Sequence, residues 1–79
     1  MGEMKLSSPN YDNLLEEFVA TRIAAGLSQY ALAEKSGTIQ ANIGRLESKK
    51  AIPRIDKFMA LLEAMGKTLA IVDMQDTSE

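Results

Sequence analysis

Residues 40–47 read Gln-Ala-Asn-Ile-Gly-Arg-Leu-Glu. At about 100° per residue, a helix sorts these side chains onto two sides. Ile43 and Leu46 share one side, while Gln40, Ala41, Gly44 and Arg45 gather on the other. The apolar side gives the helix a reason to dock. The other side presents an amide and a guanidinium with small residues between them, which is the chemistry of recognition by hydrogen bonding. Gly44 supports that reading: glycine costs about 1 kcal/mol against alanine in a helix interior, and close approach to another surface is a reason to keep it. The remaining inventory excludes more than it offers. The chain has no Cys, His or Trp, which removes zinc-finger ligation, thiol or imidazole catalysis and disulfide frameworks. No metal and no cofactor is implied. Glu16 and Glu17 are carboxylates that could hold Mg²⁺ in principle, but adjacent helix positions diverge. No nucleophile–base pair or Gly-rich loop accompanies them, so no catalytic residue is assigned and an enzyme is not expected.

That face needs elements to hold it. With 79 residues, 46% hydrophobic and 25% charged, the chain supports one small globular domain. Helical spacing of Tyr11, Leu15, Phe18, Val19 and Ile23 predicts a first helix over 10–25, stopped by Gly26. Ser28 is a good N-cap for a second helix over 29–35, and a third runs over about 40–48. Pro53 opens a fourth, with Ile55, Phe58, Leu62 and Met65 as its stripe and Gly66 at its end. Thr68 to Val72 is apolar and β-branched, and reads as a strand. The predicted class is all-α: a compact four-helix domain over 10–66, a strand over 67–74, and tails over 1–9 and 75–79. A lone strand leaves its edges open. Pairing with the same strand of a second copy about a two-fold axis would close one of them. Leu69 and Ile71 on one pleat face and Ala70 and Val72 on the other suit burial on both sides. A domain of this size buries only about 60% of its unfolded surface, a further reason to expect a homodimer. No stretch approaches the roughly 20 apolar residues that span a bilayer, so no membrane partner and a cytoplasmic location are expected.

The segment LSQYALAEKSGTIQANIGRLE places two short helices around a Gly-containing turn, which is helix-turn-helix spacing. Residues 14–66 resemble the helix-turn-helix domain of the lambda-type repressors and Cro, the XRE family. The matching residues are Arg22 six before Ser28, Leu27-Ser28-Gln29, Leu32-Ala33-Glu34-Lys35, Gly37, Gln40, Ile43, Glu47 and Pro53. The resemblance implies a lambda repressor-like fold that binds DNA. It implies that Gln29 opens its helix against a phosphate and supports the first residue of the recognition helix. Gln40, Ala41, Gly44 and Arg45 would lie over base edges, and Asn42 would meet the backbone. The chemistry agrees: Gln can bridge adenine N6/N7, Arg can fork guanine O6/N7, and Ala can touch a thymine methyl. Lys49, Lys50 and Arg54 can hold phosphates and set register. Arg22 and Glu47 resemble a family salt bridge with a structural role. Three positions depart from the pattern. Ile39 stands where a Ser or Thr usually caps the recognition helix, Ala31 replaces the acidic residue of a capping box, and Lys49 stands where Gly is common.

The ending MGKTLAIVD is similar to that of HipB-like antitoxins, whose C-terminal strand builds the dimer. The resemblance implies a dimeric repressor on a pseudo-palindromic operator in double-stranded DNA, with half-sites about 34 Å apart or a multiple of that. It also implies a partner toxin that the same dimer neutralises, with the tails as candidate contacts. A stand-alone phage-type repressor and an interaction module that has lost DNA binding are the alternatives. The net charge of −2 argues against nucleic acid as an average. Its distribution argues otherwise. Residues 27–57 hold 6 basic and 3 acidic side chains, against 2 and 4 in residues 1–26 and 1 and 4 in residues 58–79.

Overall fold

A computed structural model of the chain describes residues 8–73. Four helices follow in order: α1 (Ser8–Ala24), α2 (Gln29–Ser36), α3 (Gln40–Glu47) and α4 (Ile55–Ala64). The class is all-α, as the periodicity predicts. The first helix starts at Ser8, so part of the expected N-terminal tail is helical; residues 1–7 and 74–79 lie outside the described residues.

The helices close on one apolar cluster of Leu15, Phe18, Leu32, Ala33, Ile43, Leu46, Phe58, Leu61 and Leu62. Phe18 of α1 and Phe58 of α4 meet with ring centroids 5.4 Å apart at 38°, a tilted aromatic pair joining the first and last helices. Ile43 and Leu46 are the buried residues of α3, which leaves the opposite side of that helix for solvent. The fourth helix differs from its predicted start. Arg54 is its N-cap and Ile55 its first residue, so Pro53 fixes the approach and not the first turn. Ile55 is exposed, and Leu61 joins Phe58 and Leu62 in the core.

Chain reversal after each helix uses a residue in the left-handed region. Gly26, Gly37 and Gly66 serve after α1, α2 and α4, at φ 74°, 84° and 75°. After α3 the position falls to Lys49 at φ 65°. Lys50 N–H bonds back to the Arg45 carbonyl at 2.9 Å, as Lys67 N–H does to Leu62. An L-residue in that conformation costs roughly 1–2 kcal/mol.

The C-terminal strand is a point of correction. Residues 67–73 carry no regular secondary structure, and no strand forms among the described residues. A strand exists through its ladder, and no second strand is present among these residues to pair with. Leu69 packs against the core, while Ala70, Ile71 and Val72 are exposed, so burial on both faces does not occur within one chain.

Candidate nucleic-acid interface

Two helices and the turn between them build the site. Ser28, extended at φ −72° and ψ 166°, caps α2 by accepting from Ala31 N–H at 2.9 Å. That cap puts Gln29 in the first turn of α2, facing α3. Leu32 and Ala33 fix the depth of α2, and Ile43 and Leu46 fix α3. The start of α3 is less secured, because Ile39 occupies the N-cap without a side-chain hydrogen bond.

From this scaffold a chain of polar contacts runs from the end of α1 to the open face of α3. Arg22 grips Glu47 with two prongs, Nε to Oε2 at 2.7 Å and Nη2 to Oε1 at 3.0 Å, and its Nη1 donates to the Leu27 carbonyl at 2.8 Å. Their side chains keep only 13% and 8% of their exposure, so the pair is largely withdrawn from water. The hydrogen bonds to Glu47 hold the Arg22 guanidinium above its ordinary pKa, and it stays charged at any working pH. Glu47 Oε1 also accepts from Gln29 Nε2 at 2.9 Å, and Gln29 Oε1 accepts from Gln40 Nε2 at 2.7 Å.

The chain has a forced direction. A carboxylate only accepts, so Gln29 must turn its NH₂ toward Glu47 and its oxygen toward Gln40. Gln40 must then donate. This spends one N–H of Gln40 and leaves its second N–H and its oxygen for another partner, the donor and acceptor that adenine N7 and N6 require. Gly44 lies beneath the bridge: a methyl group there would stand 3.4 Å from both Gln29 Oε1 and Gln40 Nε2. That is ordinary contact distance, so a Cβ at this position would pack against the Gln29–Gln40 pair without displacing it. The sequence does not show that Gln29 is occupied at both ends of its amide.

The other predicted contact residues do not all lie together. Asn42, Arg45 and Arg54 come together around a cleft of about 350 Å³ between α3 and α4, floored by Leu46 and Leu61. Lys57 joins them there, a residue that sequence reasoning passed over although it sits in the first turn of α4 beside Arg54. Asn42 Nδ2 donates to Thr38 Oγ1 at 3.0 Å, and Arg54 Nη2 lies 3.0 Å from Asp56 Oδ2. Lys49 turns toward α1, with Nζ 3.5 Å from Glu16 Oε2 and 3.9 Å from Asp12 Oδ1. Lys50, Gln40, Ala41 and Arg45 are exposed, and Gly44 is half-buried.

The comparisons with known proteins point the same way. A helix-turn-helix family model matches residues 20–72. A Haemophilus influenzae protein named as an uncharacterized HTH-type transcriptional regulator is 36% identical over 62 residues. That alignment covers 78% of this chain and 63% of the relative, so the chain spans less than two-thirds of that protein's length. Among solved structures, a chain of a toxin-antitoxin module from Streptococcus pneumoniae superposes with a TM-score of 0.75 at 30% identity, covering 95% of this chain and 97% of that one. This is a family of DNA-binding domains and not of enzymes. By the family match across most of its length and by the α2–α3 geometry, the chain belongs to the XRE-type helix-turn-helix family, the lambda repressor and Cro type.

Proposed function

We propose that the protein is a dimeric, sequence-specific repressor that sets the Gln40–Arg45 face of each copy into successive major grooves of a pseudo-palindromic operator. One observation carries the reading. The Arg22–Glu47–Gln29–Gln40 chain delivers an oriented amide to an exposed helix face. Holding a surface glutamine in one orientation has little use unless something reads it. Gln40 and Arg45 would contact base edges, with Ala41 and Gly44 making room between them. Asn42, Arg54 and Lys57 around the cleft, and the exposed Lys50, would hold phosphates. Lys49, held on α1, would act through the turn that it closes. The exposed apolar residues Ile71 and Val72 support a dimer contact through residues 68–72.

Within that reading, the antitoxin variant is favoured: a dimer that binds its own operator and neutralises a partner toxin. The likeness to a chain of a toxin-antitoxin module supports it over the stand-alone repressor. The test is affinity for a duplex spanning the protein's own promoter. If the dimer neutralises 6–10 phosphates, affinity should fall about 10³–10⁵-fold between 50 and 200 mM salt. Absence of binding at 50 mM salt would leave the interaction-module alternative in its place. An adjoining reading frame whose product is toxic alone, and harmless when the two are co-expressed, would establish the antitoxin role.

A further inference from the structure

The cleft between α3 and α4 has a feature that phosphate contact does not require. A phosphate is met by donors at a surface and has no use for a hydrocarbon floor. Here Leu46 and Leu61, both buried, form such a floor, and Ala51, Pro53 and Ala60 also line the cleft. Its volume of about 350 Å³ falls within the range of small-molecule pockets, toward the lower end.

The charged lining has one sign. Arg45, Arg54 and Lys57 border the cleft, and among the described residues no Asp or Glu lines it. Arg54 is paired with Asp56, whereas Arg45 and Lys57 have no carboxylate partner among the described residues. Asn42 is tethered by one N–H to Thr38 Oγ1, which leaves its second N–H for another acceptor. Two uncommitted cations and an amide donor around an apolar floor are the complement of a carboxylate carried on a hydrocarbon body. The volume suits one such body and not a run of acidic peptide residues.

We propose that this cleft binds a small organic carboxylate with an apolar body, and that the bound ligand lowers affinity for the operator. The second half rests on the DNA-reading function proposed above. A guanidinium forks one planar partner at a time, so Arg45 engaged by a carboxylate is lost to guanine. Arg54 and Lys57, partly neutralised by the same anion, hold phosphates less well. Linkage makes the effect reciprocal: operator DNA weakens the ligand by the same factor.

The probe is 3-phenylpropanoate, with acetate to supply the charge alone and 3-phenylpropan-1-ol the body alone. Each is titrated into the isotopically labelled full chain and followed by amide chemical shifts. The carboxylate should bind with a Kd on the order of a few millimolar, as its size allows, with shifts centred on Leu46, Ala60 and Leu61. Both controls should bind at least about tenfold more weakly. Ala60→Leu fills the cleft from an exposed helix position, so it should fold, keep its operator affinity and lose the ligand. At five times its Kd and constant ionic strength, the ligand should weaken operator binding about sixfold per copy in the parent, and not in Ala60→Leu. No saturable shift at the cleft, equal binding of the alcohol, or binding retained by Ala60→Leu overturns the site. Shifts given there by an acidic tripeptide and not by the carboxylate make it a protein contact and overturn it too. Binding at the cleft with unchanged operator affinity overturns the competition. A parent that takes up the carboxylate but binds no duplex overturns the DNA-reading function and leaves the site standing.

Discussion

At single residues, recognition depends on which polar groups are committed within the fold and which are free. Arg22 and Glu47 are committed to each other, and Arg22→Ala would leave Glu47 charged and largely buried. Such a loss costs about 3–5 kcal/mol, a large share of the roughly 5–15 kcal/mol that stabilises a native domain. Denaturant titration should show Arg22→Ala largely unfolded under conditions where the parent is native. Tyr11 offers the opposite case. Its hydroxyl is buried without a partner among the described residues, and burial, with Asp12 nearby, raises its pKa. Because the raised pKa lies in the folded state, this contribution is complete below the ordinary phenol value near 10 and is lost as pH rises above it. Tyr11→Phe should match or exceed the parent's stability at neutral pH, and it should flatten the alkaline loss in thermal melts taken across pH. The composition of the α3 face was legible from helical periodicity alone. The direction of the Gln29 amide was not, because Glu47, eighteen residues away in sequence, decides it.

At the scale of elements, caps and stripes gave four helices at nearly their observed bounds. The misses have physical reasons. Ile55 continues the α4 stripe by spacing, but it lies in the first turn, beyond the reach of the core. The C-terminal segment has strand composition, yet a ladder needs a second strand that these residues do not include. The turn after α3 is the element most open to a direct test. Lys49 holds φ 65° and is offset only by exposed ion pairs to Glu16 and Asp12, which contribute about 0–1 kcal/mol. Lys49→Gly should therefore raise the melting temperature by a few degrees, since about 1 kcal/mol shifts a domain of this size by 4–8 °C. Lys49→Ala keeps the strain, loses the pairs and should melt below the parent. If Lys49→Gly melts lower, the ion pairs outweigh the strain and this part of the account is wrong.

For the whole molecule, the average charge misleads and its distribution informs. The segment holding α2, α3 and the turn to α4 is positive, while both flanks are negative. A field of this shape steers one face toward a polyanion and turns the others away. Removing residues 68–79 should yield monomers in sedimentation and weaken operator binding sharply; a dimer that survives the truncation would place the contact elsewhere. The central claim is that the Gln40–Arg45 face reads DNA, and the most direct measurement compares the parent with Gln40→Ala and Arg45→Ala on one selected duplex and one scrambled duplex at fixed salt. Each substitution should weaken binding to the selected duplex by about 5-fold to 150-fold, the worth of a bidentate base contact. On the scrambled duplex, Gln40→Ala should change little and Arg45→Ala should lose only the share due to its charge. Equal affinity of parent and both variants for the selected duplex would contradict the account.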